Sequence, residues 1–109
     1  MTTTHSIPVV DDDHFTAEVL EAERPVLVDF TAAWCPPCRM MKPVLEELAA
    51  ERDDLAIVQV DVEDSTITAA RYGVLSMPTF ILFRGGAPVT QLVGARPKRR
   101  LERELDAVL

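Results

Sequence analysis

The sequence holds two cysteines, Cys35 and Cys38, separated by Pro36 and Pro37 and preceded by Trp34. Two thiols this close can cycle between dithiol and disulfide. Exchange with another disulfide needs a thiolate and a second thiol within reach of the mixed disulfide. The motif follows an apolar run and opens a helical pattern, so Cys35 falls at a helix N-cap. There the unpaired N–H groups and the positive end of the dipole favour the thiolate. Cys38, one turn later, is expected beside it and more buried. Pro36 and Pro37 fit a first turn, where a missing N–H leaves no bond unmade and a fixed φ suits the helix. A structural staple is the poorer reading, because closing so short a loop restricts the unfolded chain little.

Other chemistry is thinly represented. A zinc site built on the two thiols would need two more ligands, and His5 and His14 lack the spacing. No metal is expected. The acidic runs at 11–13 and 61–64 lack a calcium-loop pattern and read as helix caps and solvated turns.

The elements that must hold the dithiol follow from the apolar periodicity. Strands are predicted at 7–10, 26–30, 56–62, 79–83 and 88–93. Helices are predicted at about 14–22 and 36–52, between residues 64 and 73 with Asp64 and Ser65 as its caps, and from Pro97 to the C-terminus. Met40 and Met41 are assigned to the core side of the long helix, and Pro43 is expected to kink it. Gly85 and Gly86 supply a hairpin turn. Crossovers come first and a hairpin last, which predicts an α/β fold. Its central mixed sheet has four to five strands, flanked by about four helices on both faces. One domain covers residues 1–109.

Composition narrows the function classes. At 48% hydrophobic and 27% charged, the chain is ordinary for a globular domain. No stretch reaches the ~18 apolar residues of a membrane span. Net charge is −7, with −11 in residues 1–64 and +4 in residues 65–109. That balance argues against a nucleic-acid binder. The one basic cluster, Arg96, Lys98, Arg99, Arg100 and Arg103, reads as a solvated helix face. The first residues have neither a basic n-region nor an apolar core, so a cytoplasmic location is expected.

Several segments together resemble the thioredoxin family, from about residue 7 to 109. They are Val28-Asp29-Phe30, Trp34-Cys35-x-Pro37-Cys38, Pro43 in the following helix, Val60-Asp61-Val62, Met77-Pro78-Thr79-Phe80 and Val93-Gly94-Ala95. A lone CxxC is a weak signal. A strand, this motif, a helix and a Met-Pro-Thr-Phe strand start some 40 residues on make a strong one. The resemblance implies a thioredoxin fold and a protein disulfide reductase. Cys35 would be the attacking nucleophile, Cys38 the resolving thiol, and the pair a redox-active disulfide. Asp29 would be the buried carboxylate that relays a proton for Cys38, and Pro78 a cis-proline facing the dithiol. Trp34, Met77, Gly94 and Ala95, with Pro36 and Pro37, would form the rim against which substrate chains lie. The resemblance further implies a monomer with no bound cofactor. Its electrons would come from NADPH through a flavin-dependent thioredoxin reductase, and its other partners would be disulfide-bearing proteins.

The chain departs from the family at three positions. Pro36 replaces the commonest Gly of the spacer. Thr31 stands where some members carry a second Trp, and Gln59 where some carry a Lys on the central strand. Lys42, four residues after Cys38 on the same helix face, is expected to approach Asp29 within about 6 Å or through one water and restore the missing cation. Two other readings of the dithiol stay open here: a redox-active binding or scaffold subunit, and a disulfide oxidant or isomerase.

Overall fold

A computed structural model of the chain describes residues 7–109. Its centre is β1 (Val26–Thr31), a run of residues buried almost throughout. β1 pairs in parallel with β2 (Ala56–Asp61) on one side and antiparallel with β3 (Thr79–Arg84) on the other. β4 (Ala87–Val93) pairs antiparallel with β3, and the sheet order is β2-β1-β3-β4. The β3–β4 hairpin turns on Gly85 and Gly86, both at positive φ. That is the geometry a two-residue loop needs to follow the strand twist. At Gly86 a Cβ would lie 2.9 Å from the Leu20 carbonyl oxygen, so only glycine lets the turn close on the N-terminal segment.

Strand alternation assigns the two faces. Val26, Val28 and Phe30 point to one layer, where they meet Phe15, Val19, Ala69 and Phe83. This layer lies under α2 (Thr66–Arg71) and a single π-helical turn, Thr16–Leu20. Leu27 points to the other layer with Ile57, Phe80 and Leu82. There α1 (Pro36–Glu51) contributes Met41, Leu45 and Leu48, and α3 (Lys98–Asp106) contributes Leu101 and Leu105. The mixed sheet of four strands with helices on both faces is the predicted architecture.

Several elements differ from expectation. The strand at 7–10 is only a bridge, Val9 to Gln59. The Pro8 carbonyl accepts from Gln59 N and Val10 N donates to the Gln59 carbonyl, both at 2.9 Å. Pro8 has no N–H with which to extend the ladder. The helix at 14–22 shrinks to five residues, and Glu21 N donates to the Thr16 carbonyl at 2.9 Å, a five-residue closure. Met40 is exposed while Met41 is buried, because the core stripe of α1 runs through 41, 45 and 48 and leaves 40 beside it. Ser65 makes no side-chain cap for α2. Asp12 does so instead, accepting from Thr68 N at 2.8 Å and Thr68 Oγ1 at 2.6 Å.

The basic cluster is not one solvated face. Arg96 is buried, and Lys98 Nζ reaches the Glu51 carboxylate of α1 at 2.5 and 2.6 Å. A base at the start of α3 opposes that helix's own dipole. Here it finds its anion on the neighbouring helix.

Candidate active site

The dithiol stands where β1 gives way to α1. Cys35 is the N-cap of α1 in extended conformation (φ −96°, ψ 106°), and Pro36 and Pro37 open the helix. Cys35 Sγ accepts a hydrogen bond from Cys38 N at 3.3 Å. A sulfur in this place faces helix donors that have no intrahelical partner, so negative charge on it is stabilised. The two cysteines are joined as a disulfide, with Cα atoms 5.3 Å apart.

Cys38 is not the more buried of the two. Cys35 is 3% exposed and Cys38 5%. Both sulfurs share one small apolar cluster with Ala32, against which Val62 and Met77 pack, so one cover shields the pair.

The Met77–Pro78 peptide bond is cis, as the resemblance implied. The Met77 carbonyl oxygen lies 3.5 Å from Cys35 Sγ. Gly94 N donates to the Pro78 carbonyl at 2.9 Å, which ties the end of β4 to the same corner. Gly94 has φ +99°, a conformation other residues rarely adopt. The structure therefore brings Cys35, Cys38, Met77, Pro78 and Gly94 together. Trp34 is 60% exposed on the shoulder of the motif, and Pro36, Pro37 and Ala95 are exposed as well. Pro78 is buried and Met77 half-buried.

Asp29 lies beneath. It is on the α1 side of β1, between Gln59 and Phe80 in register, and only 2% exposed. Its Oδ1 has no hydrogen-bond partner. Burial alone raises its pKa to about 7, because the charged form loses its hydration. A cavity of about 710 Å³ opens beside it, lined among others by Cys38, Arg39, Lys42, Gln59 and Asp61. Asp29 and Lys42 thus share one cavity, and among the described residues no ion pair joins them. Arg39, the residue directly after Cys38 in the sequence, lines this cavity too, a position that its place in the motif signals. No group of three or more His, Cys, Asp or Glu residues among those described is arranged to hold a metal ion.

The thioredoxin family model matches residues 6–107. The chain belongs to the thioredoxin family. It is 52% identical over 103 residues to a thioredoxin of Mycolicibacterium smegmatis, covering 92% of each chain. It is 50% identical over 93 residues to a thioredoxin of Alicyclobacillus acidocaldarius, covering 84% of this chain and 89% of the relative. A bifunctional thioredoxin reductase/thioredoxin of Mycobacterium leprae is 48% identical over 101 residues. That match takes in 92% of this chain and 22% of the longer protein. With this membership and the Cys35–Cys38 pair, the chain is a thiol–disulfide oxidoreductase of the thioredoxin kind, a protein disulfide reductase. Among the described residues, no helix is long and apolar enough to cross a membrane.

Proposed function

We propose that the 109 residues act as one monomeric reductase unit in which Cys35 attacks and Cys38 resolves. The observation that carries this reading is a cysteine pair at a helix N-terminus, with Cys38 sharing a cavity with a buried carboxyl group whose Oδ1 has no partner. Cys35, as thiolate, attacks one sulfur of a substrate disulfide. A new S–S bond forms to Cys35, the substrate bond breaks, and the other substrate sulfur leaves as a thiolate and takes up a proton. Asp29 then accepts the Cys38 thiol proton, directly or through water in the adjoining cavity. Its pKa of about 7 keeps a useful fraction ionised at neutral pH, and still basic enough to accept. The Cys38 thiolate attacks Cys35 Sγ and expels the second substrate thiolate. Two electrons have passed to the substrate, and the chain ends as the Cys35–Cys38 disulfide.

The substrate chain lies along Trp34, Pro36, Pro37, Met77, Pro78, Gly94 and Ala95. There the backbone of Met77 is available to an extended strand. Lys42 acts from α1 to moderate the Asp29 pKa. The disulfide is returned to the dithiol by a thioredoxin reductase that draws electrons from NADPH through a flavin, and the cycle runs in the cytoplasm. The fused reductase–thioredoxin relative supports pairing with such a reductase.

Trapping tests the order of attack. Cys38→Ser is expected to accumulate mixed disulfides through Cys35, detectable by non-reducing electrophoresis and mass spectrometry. Cys35→Ser is expected to trap few. Equal trapping by the two variants overturns the assignment.

A further inference from the structure

Arg96 sits two residues beyond Gly94, and its side chain is only 5% exposed. Every nitrogen of its guanidinium is engaged. Nε donates to the Gly94 carbonyl at 3.1 Å, and one terminal nitrogen donates to the Val93 carbonyl at 2.6 Å. The other terminal nitrogen meets both carboxylate oxygens of Glu104, on α3, at 2.7 Å. All three nitrogens have an acceptor, and a buried cation that loses its partners is costly, so these contacts hold the side chain in place. Arginine's planar fork suits three acceptors in fixed directions, which a lysine ammonium on a flexible stem does not match.

Two of those acceptors belong to the corner of chain that faces the dithiol. With the Val93 and Gly94 carbonyls drawn inward to Arg96, the loop turns outward Val93, which is 56% exposed, and Ala95. The Gly94 N–H is held separately by the Pro78 carbonyl. A continuous series of bonds therefore runs from Glu104 through Arg96 and Gly94 to Pro78. Pro78 adjoins Met77, whose carbonyl oxygen is 3.5 Å from Cys35 Sγ.

We propose that Arg96, anchored by Glu104, is a positioning residue for substrate recognition: it holds the Val93–Gly94–Ala95 corner in the shape that receives the substrate chain. It touches neither sulfur. Its contribution is to order the rim before a protein arrives, so that binding does not have to order it. The inference rests on the proposed role of Gly94 and Ala95 as substrate rim, and the test separates the two ideas.

The experiment compares reduction of insulin disulfides with reduction of a small aromatic disulfide that needs no rim. Both are run with the intact chain and a thioredoxin reductase. Arg96→Leu keeps the apolar stem and removes the donors. Glu104→Gln keeps an acceptor and removes the anchoring charge. Both are expected to raise KM for insulin about fivefold or more, with kcat and the rate on the small disulfide nearly unchanged. Arg96→Lys is expected to recover part of the loss. Ala95→Asp reports on the rim itself and is expected to raise KM for insulin. If Ala95→Asp has this effect while Arg96→Leu and Glu104→Gln leave KM unchanged, the positioning role is overturned and the rim stands. If Ala95→Asp leaves KM unchanged, the rim reading falls, and the Arg96 proposal falls with it. Equal losses on both disulfides make Arg96 a stability residue and overturn the proposal. Should Arg96→Leu fail to fold, Glu104→Gln and Arg96→Lys decide the same question.

Discussion

Asp29 is the residue on which stability and catalysis disagree. Its carboxyl group is buried, one oxygen has no partner, and its pKa stands at about 7 against an ordinary 3.8. Below about pH 4 it is neutral in both folded and unfolded chains and costs nothing. Between about pH 4 and 7 the unfolded chain gives up the proton while the folded chain keeps it. The unfolded state then binds fewer protons, and stability falls as pH rises. Above about pH 7 both states are ionised and the full cost is present, up to ~4 kcal/mol for about three units. Asp29→Asn is therefore expected to be more stable than the parent at pH 8, with the advantage vanishing near pH 4. Urea unfolding at the two pH values measures it. The same variant is expected to slow the release step and to remove an inflection near pH 7 from its pH profile. A gain in stability that does not depend on pH would assign the effect to packing and not to charge. The dithiol was legible in the sequence because local spacing carries it, two thiols one turn apart at a helix start, whereas Asp29 was singled out by the family resemblance, carried by its place between Val28 and Phe30. Arg96 was not. Among Lys98, Arg99, Arg100 and Arg103 it reads as one more solvated base, and only the fold brings Glu104 and the Gly94 carbonyl to it.

Among the elements, α1 does the most for the site. It presents Cys35 at its cap, buries Cys38, and lines the cavity beside Asp29 with Arg39 and Lys42. Gln59 faces Asp29 from β2, and Asp61 and Asp64 line the same cavity with opposing charge. Lys42 is exposed, so solvent screens its field at Asp29, in keeping with burial as the cause that raises that carboxyl's pKa. Lys42→Met is expected to raise the Asp29 pKa further above about 7, by up to about one unit, and NMR titration of the carboxyl carbon reads it directly. An unmoved titration would leave Lys42 a surface base, with Arg39 the next cation to replace. The extent of α1 could be read from its apolar repeat and its prolines, because both signals are local. The cap of α2 could not. Asp64 and Ser65 stood where a cap belongs, but Asp12 fills the place from 56 residues away in sequence. The strand at 7–10 misled for a different reason. Its composition suited a sheet, yet Pro8 lacks the donor that a ladder requires, and the segment closes with one bridge.

At the scale of the whole molecule, the site hangs from the best-protected part of the fold. β1 is paired on both sides and lies between two apolar layers, one under the Thr16–Leu20 turn and α2, the other under α1 and α3. β4 is an edge strand whose side chains are mostly exposed. The layered α/β plan followed from the order of elements, but which strand lies innermost was set by pairing, and periodicity does not encode that. Amides in such an inner strand exchange with solvent only when the whole chain unfolds, while an edge strand opens locally at lower cost. Hydrogen exchange at low denaturant is therefore expected to give β1 and β3 the global unfolding free energy and β4 a smaller one. Asp29 sits in β1, so its ionisation burdens global unfolding and not the local opening of β4. At pH 7.5, Asp29→Asn is expected to slow exchange throughout β1 and β3 by the factor that matches its gain in urea stability, and to leave the fastest β4 amides unchanged. Equal slowing in all four strands would mean that β4 opens only with the rest of the sheet. The proposed rim at Gly94 and Ala95, which follows directly on β4, would then be as rigid as the core, without need of the Arg96 anchor.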